Sequence, residues 1–233
     1  MNFELRNTPQ NLAEIRKHIP PYVTLVCVSK FHPVEAIMAA YNCGERDFGE
    51  SRVQELLPKY ETLPKDIRWH FIGHLQTNKV KMIVPFVHLI HSVDSMRLLE
   101  TINREAEKIQ RKVRVLLEVH VAKEETKSGF TIEELEELSI QNFELRDCFS
   151  WVEVCGVMGM ATNTDDEQEW RRCFREIKSL ASRLVPIANS KASDNSSCER
   201  PLISMGMSDD YQIAIDEGSN MVRIGSSIFG ERY

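Results

Sequence analysis

The chain has 233 residues, 42% of them hydrophobic and 27% charged, with a formal net charge of −6. That length allows one large core, and the composition is that of an ordinary soluble globular protein. The acidic balance argues against a nucleic-acid partner, and no apolar run approaches membrane-spanning length.

Met1 to Pro20 holds no uninterrupted apolar core, so no signal peptide is expected there; Leu5 to Ile19 instead reads as an amphipathic leader helix with Leu5, Leu12, Ile15 and Ile19 on one face. Thr24 to Lys30 is a Val-rich run that reads as a strand buried on both faces, stopped by Phe31-His32-Pro33. Pro33 suits a helix start, and Val34, Ile37, Met38 and Tyr41 follow at helical spacing up to a glycine stop at Gly44. Arg46–Glu50 is a short second strand. Ser51 is placed to cap a helix from Arg52 to Leu57, which Pro58 closes. Ile67–Gly73 is the third strand, followed by the polar turn His74–Asn78 and a helix from Lys79; Val87–Val93 is the fourth, with Asp94-Ser95 capping a helix to about Ile109.

Val113–Val119 is the fifth strand, and Thr131-Ile132-Glu133-Glu134 is a capping box opening its helix. The acidic run Glu133–Glu137 is that helix's solvated first turn. Trp151–Val157 is the sixth strand, and Asp165–Leu184 the longest helix. Residues 188–200 are Ser/Asn-rich and read as a surface loop; its Asn195-Ser196-Ser197 acceptor pattern is idle without a secretory signal. Pro201–Ser204 and Met221–Ile224 are strands seven and eight. Eight β-then-α units in one chain predict a single α/β domain over 1–233, a (β/α)8 TIM barrel with an extra leader helix within 1–20; an open doubly wound sheet is the alternative. Of the six cysteines (Cys27, Cys43, Cys148, Cys155, Cys173, Cys198), none forms a C-x-x-C pair and two lie in predicted strands, which suits reduced thiols in a cytoplasmic protein.

Lys30 stands where the first strand hands over to its helix, the edge at which α/β proteins gather functional groups. A lysine half enclosed by apolar walls loses hydration, its pKa falls, and the neutral amine can then form a Schiff base with an aldehyde; a lysine merely snorkelling from a strand end is the plainer account. In such barrels the loops after strands seven and eight commonly bind phosphate. Here they are Ser204-Met205-Gly206-Met207-Ser208-Asp209-Asp210 and Gly225-Ser226-Ser227, each with a glycine, hydroxyls and a helix start. Arg223 shares a strand face with Met221 and points into the barrel if Val222 and Ile224 face the helices. It then needs either a carboxylate such as Glu118 or Glu153, or a ligand's ring nitrogen or anionic group. His70 and His74 sit at a strand end and not on a helix, with no clear third ligand, and His88 and His91 offer no better geometry, so no metal is expected. The G-x-S-x-G, Walker A and G-x-G-x-x-G patterns are absent from the sequence.

Trp69-His70-Phe71-Ile72-Gly73-His74-Leu75-Gln76-Thr77-Asn78-Lys79, with Val28-Ser29-Lys30, Phe48-Gly49-Glu50, Ser92-Val93-Asp94-Ser95, Lys127-Ser128-Gly129-Phe130, Gly156-Val157-Met158-Gly159-Met160 and the strand-seven and strand-eight loops, resembles one family in order over nearly the whole chain. That family is the pyridoxal phosphate homeostasis proteins, whose fold is like the N-terminal barrel of alanine racemase. The resemblance implies a pyridoxal 5′-phosphate (PLP) cofactor held as a Schiff base on Lys30. It implies Ser204, Gly206, Gly225 and Ser226 on the phosphate, Arg223 facing the pyridine nitrogen, and His74, Asn78 and Met158 lining the mouth. Ser51 stands where the family usually has asparagine, which shortens a polar side chain beside the cofactor, and Ser226 stands where threonine is usual.

A guanidinium against the ring nitrogen disfavours its protonation and weakens the ring as an electron sink. Alanine racemase is understood to use an arginine there too, so the stronger argument is that racemases of this fold add a second β domain carrying a catalytic tyrosine. This chain ends at Tyr233. The reading is therefore a non-catalytic carrier in intracellular vitamin B6 homeostasis, a monomer with a dimer as the alternative, without membrane or nucleic-acid partners, touching PLP-dependent apoenzymes transiently. Lys127 is either a recipient of the aldehyde during release or a solvated loop lysine. The rivals are a racemase-like or decarboxylating enzyme completed by a dimer partner, and a Schiff-base aldolase on phosphorylated sugars.

Overall fold

The runs of Val, Leu and Ile become parallel strands because β-branched side chains fit a sheet covered on both faces. In this computed structural model, which describes residues 7–121, 128–140, 149–189 and 200–230, the strands are β1 (Thr24–Val28), β2 (Asp47–Glu50), β3 (Arg68–Phe71), β4 (Leu89–Val93), β5 (Val113–Val119), β6 (Val152–Gly159), β7 (Leu202–Ser204) and β8 (Met221–Ile224). They pair in sequence order into a closed barrel, so the (β/α)8 expectation holds and the open sheet does not. Closure joins β8 to β1, with Val26 beside Arg223 and Cys27 beside Ile224.

The helices are α1 (Thr8–Lys17), α2 (Val34–Asn42), α3 (Val53–Thr62), α4 (Val80–Ile83, entered through a 3-10 turn at Thr77–Lys79), α5 (Met96–Lys108), α6 (Ile132–Ile140), α7 (Glu167–Asn189), α8 (Tyr211–Asp216) and α9 (Ser226–Phe229). The main core lies between strands and helices, where Leu25, Phe48, Trp69, Ile90, Phe174 and Ile224 are buried. A smaller second core of Val26, Leu89, Leu116, Cys155, Met158 and Met221 fills the barrel itself. The leader helix buries Leu12 and Ile15 and is tied down by the Asn11 amide, which donates to the Ile228 carbonyl at 3.1 Å. Cys27, Cys155 and Cys173 are buried thiols outside any disulfide, and Cys43 is an exposed one. Cys148, Cys198, Leu5, Lys127 and Asn195 fall outside the described residues.

Three local expectations differ from the structure. Helix α3 does not stop at Pro58 but runs through it to Thr62. Proline removes one backbone donor from a helix interior, yet the last turn is kept in place by Lys59, whose side chain is buried against β2. Ser51 does not cap α3: the N-cap is Arg52, with no side-chain cap bond. Ser95 is the N-cap of α5, but its hydroxyl donates to Asp94 Oδ1 at 3.0 Å and caps nothing. The capping box at Thr131 does form, with Thr131 N donating to Glu134 Oε2 at 2.8 Å and Glu134 N to Thr131 Oγ1 at 3.2 Å.

Candidate functional site

Strand β1 ends at Val28, two residues before the expected limit, so Lys30 lies in a turn and not on the strand. His32 N donates to the Ser29 carbonyl at 3.1 Å, which makes Lys30 the second residue of a four-residue turn. Its side chain is half-buried at the barrel mouth. The neighbouring seam is β8, where Arg223 is 5% exposed and points inward. Its Nη1 donates to the Ser204 carbonyl and hydroxyl, both at 2.7 Å, and its Nη2 donates to the Gly159 carbonyl at 3.1 Å. Burial pulls the guanidinium down to about 10, with the charges of Asp210 and Glu118 opposing. It stays a cation at neutral pH. No described carboxylate lies within ion-pair distance of it, so of the two readings the salt bridge to Glu118 or Glu153 does not form.

Ser204 is fully buried, and its hydroxyl is engaged by Arg223 below the loop after β7. The reason is strand alternation: Ser204 and Arg223 both face the barrel interior. What faces outward is Ser208, whose hydroxyl accepts from Ser226 Oγ at 3.0 Å where the two loops meet at the mouth. The β7 loop is pinned by Asp210, which accepts the Met207 N–H at 2.6 Å. Gly206 has φ +96, and a Cβ there would stand 2.7 Å from Ala214 Cβ, so the loop folds back onto α8 through glycine alone. The Gly225 position is less tightly packed against β1: a Cβ would lie 3.1 Å from the Val28 carbonyl oxygen.

The remaining expected residues occupy the same rim with different engagements. Met158, opposite Ser204 in register, belongs to the inner core. Ser51 follows β2, with the Gly73 backbone packed directly on it. His74 is exposed and its Nδ1 meets Asp94 Oδ2 at 3.0 Å. Asn78 is exposed on the 3-10 turn. A cleft of about 540 Å³ lined by Ser51, Glu55, Phe71, His74 and Lys79 opens on this side of the mouth.

Below the mouth runs a chain of buried polar groups. Arg223 donates to Ser204 Oγ; Ser204 Oγ and His91 Nδ1 are 3.0 Å apart, His91 Nε2 and His70 Nδ1 2.8 Å, and His70 Nε2 and Asp47 Oδ1 3.0 Å. Arg68 closes the far end on both Asp47 oxygens, at 2.7 and 2.5 Å. Burial alone pushes the Asp47 carboxyl up, but the hydrogen bonds and charges of Arg68 and His70 outweigh it and hold it well below the usual carboxylate range. Asp47 and His70, with His88, also form a trio of metal-ligand types whose donor atoms lie within 4.8 Å of one another. Those lone pairs are spent on protons: Arg68 and His70 occupy Asp47, and Arg114 Nη1 sits 3.2 Å from His88 Nε2. Two guanidinium groups beside the trio oppose a dication.

Glu118 titrates near neutrality. Burial, helped by the charge of Asp94, raises it from 4.5 to about 7. Between those values the folded state keeps a proton that the unfolded chain releases, so this group's contribution falls as pH rises from 4.5 through 7. Glu118→Gln is therefore expected to stabilise the protein by about 3 kcal/mol above pH 7 and by little below 4.5, as read from urea midpoints across pH. An equal effect at both ends would remove the buried charge from the account.

A family model described as alanine racemase, N-terminal domain, matches residues 4–233. The pyridoxal phosphate homeostasis protein of Aquifex aeolicus is 43% identical over 209 residues, 89% of this chain and 86% of that one. Its counterpart from Synechocystis is 38% identical over 97% of this chain and 99% of its own. The chain belongs to the pyridoxal phosphate homeostasis family. Among solved structures, PipY of Synechococcus elongatus with PLP bound superposes with a TM-score of 0.82 at 33% identity, covering 96% of this chain and 100% of that one. The alanine racemase of Bartonella henselae shares the fold at 16% identity, with a TM-score of 0.76 over 98% of this chain and 60% of its own.

Family motifs made the ten expected positions legible, and all ten fall at or just beneath one rim. Asp47, His70, His91, Glu50, Glu55 and Lys59 were not singled out as a site. The available signal was a histidine within each of two strands, His70 in β3 and His91 in β4, since a buried imidazole needs a partner.

Proposed function

We propose that this chain binds PLP at the barrel mouth, joined through Lys30, and serves vitamin B6 homeostasis as a carrier and not as a catalyst. The observation that carries the reading is the β8–β1 seam: Lys30, the Arg223 guanidinium and the Ser208–Ser226 hydroxyl pair gather at the ends of these two paired strands and of β7. The donor set fits the group. Hydroxyls and two side-chain-free glycine positions suit an oxyanion, an amine suits an aldehyde, and a guanidinium, which only donates, suits an unprotonated ring nitrogen. Three of Arg223's five N–H groups are engaged by Ser204 and Gly159, which leaves two for a ligand.

When bound, PLP supplies an aldehyde with which a neutral amine condenses with loss of water. Lys30 presents that amine, Ser208 and Ser226 hold the phosphate end, and the Ser204 and Gly159 carbonyls orient Arg223. A permanent donor at the ring nitrogen keeps that nitrogen unprotonated and the ring a weak electron sink. This suits storage and hand-over to apoenzymes through transient contact.

Incubation with PLP, borohydride reduction and peptide mass analysis test the reading. The parent should carry reduced cofactor on the Lys30 peptide, and Lys30→Ala should carry none. An unlabelled parent, or equal labelling of Lys30→Ala, overturns it. A racemase-like reading draws on Glu118, a buried carboxyl tuned to about 7 and so suited to proton transfer. D-isomer appearing from single L-amino acids would favour it.

A further inference from the structure

Lys30 sits in a turn whose third residue, Phe31, has φ +67. A bulky residue adopts that left-handed conformation at a cost of about 1–3 kcal/mol, and it persists only where the surroundings impose it. The surroundings here are helix α3. Glu55 Oε2 accepts the Phe31 N–H at 2.9 Å, and Lys59 Nζ donates to the Ser29 carbonyl at 2.9 Å. These are the two peptide groups that flank Lys30, and the residues that hold them are four apart, on one face of the helix. Arg52 lies over the Phe31 ring at 4.8 Å and reaches Glu55 at 3.6 Å.

Lys59 is itself anchored from below. Its Nζ is 2.7 Å from Glu50 Oε1, which also accepts the Ser29 hydroxyl at 2.6 Å. Lys59 is 7% exposed and Glu50 not at all. The second Glu50 oxygen is buried with no hydrogen-bond partner. A buried ion pair with an unsatisfied oxygen is a poor source of stability, and replacing such pairs by apolar groups is often neutral or favourable. Its place in the molecule, directly under the turn that carries Lys30, gives it another use.

We propose that Glu55 and Lys59 are positioning residues for Lys30: from one face of α3 they grip the peptide groups on either side of it and so fix where its amine stands. The inference rests on the reading of Lys30 as the residue that meets the PLP aldehyde. It goes further in assigning the geometry of that amine to a helix that does not itself carry it.

The test uses the full chain as parent, Glu55→Ala, Glu55→Gln and Lys59→Met, with two readouts. One is the rate at which PLP becomes borohydride-trappable on the Lys30 peptide. The other is affinity for pyridoxine 5′-phosphate, whose alcohol cannot condense with an amine and which therefore reports the pocket without the lysine. Glu55→Ala should slow trapping by about tenfold or more, toward the roughly hundredfold loss that a misplacement of 1 Å brings. Its affinity for the alcohol should stay at the parent's value. Glu55→Gln keeps an acceptor oxygen and should recover most of the rate. Lys59→Met should slow trapping likewise. Should it fail to fold, because Glu50 is left unpaired, Glu55→Ala decides alone, its side chain being only 25% exposed but at the surface end of the clamp. Parent-like trapping in Glu55→Ala overturns the proposal, as does a fall in alcohol affinity equal to the fall in rate. A parent that cannot be trapped at all overturns the underlying reading instead, so the two failures are distinguishable.

Discussion

Gly156→Ala is expected to abolish folding or to destabilise the barrel by more than about 4 kcal/mol, an exceptional cost for one methyl group. Strand β6 passes so close to β7 at this point that a Cβ on Gly156 would lie 1.9 Å from the Leu202 carbonyl oxygen and 2.7 Å from its nitrogen. The obstacle is backbone, so no rotamer change relieves it, and φ +155 is itself rarely adopted by a residue with a side chain. The close approach marks a bulge. Val154 pairs with Val115 and Gly156 with Leu116, which leaves Cys155 as the extra residue. After the bulge the strand's alternation is reversed, so Cys155 and Met158 both face into the barrel. That reversal also brings the Gly159 carbonyl to Arg223. Gly159→Ala is the control: its Cβ would meet the Ile177 side chain at 2.5 Å, which can move, so a cost of about 1–3 kcal/mol is expected. Urea denaturation of both variants checks the contrast, and a Gly156→Ala midpoint near the parent's would show that the two backbones do not approach so closely.

Such a bulge explains where the sequence was readable and where it was not. Six of the eight strands are short runs containing Val, Leu or Ile, and a strand buried on both faces needs little else, whereas β2 (Asp47–Glu50) and β3 (Arg68–Phe71) contain none of the three. Facing was harder. Period-two alternation correctly puts Arg223 inward and, applied to β7, turns Ser204 inward as well, but it cannot register the residue that Cys155 inserts. Pro58 was misread because the usual rule concerns the helix alone. The turn beyond it is kept by an ion pair from Lys59 to Glu50 of β2, a contact between elements that no local pattern records. Lys59 shows the same limit for the site. It lies just past the proline at which the helix was expected to close, and only the folded chain places it under Lys30. The mouth residues were legible as motifs; the groups that hold them were not, since each partner comes from a different strand or helix.

Asp47→Ala is expected to cost about 1–3 kcal/mol, because it leaves the buried His70 without its acceptor while the half-exposed Arg68 returns to water, and to change the proton positions on two histidines. In the parent those positions follow from one end of the buried chain. A carboxylate can only accept, so the His70 Nε2 facing Asp47 at 3.0 Å carries the proton. A neutral His70 then accepts at Nδ1, which requires His91 to donate from Nε2 across 2.8 Å. His91 Nδ1 is left as an acceptor for the Ser204 hydroxyl, while Ser204 Oγ accepts from Arg223. Every bond then runs in one direction, from the guanidinium beneath the barrel mouth to the carboxylate at the start of β2. Nitrogen-15 spectra of the imidazoles should show both rings protonated at Nε2 in the parent and a mixture in Asp47→Ala. A parent His91 protonated at Nδ1 would sink the assignment. The same burial sets the acid limit of the fold. Burial holds His91 well below 6.5 and takes His88 to about 4, with the neighbouring Arg114 guanidinium adding to it. The unfolded chain takes up protons below 6.5 that these rings refuse, so their contribution is complete above that value and is lost as pH falls from 6.5 through 4. Glu118 acts in the opposite sense over part of that range, as do Glu50 and Asp210, whose carboxyls burial also raises. Glu118→Gln should therefore lose stability on acidification more steeply than the parent, because a group that gains from acid has been removed.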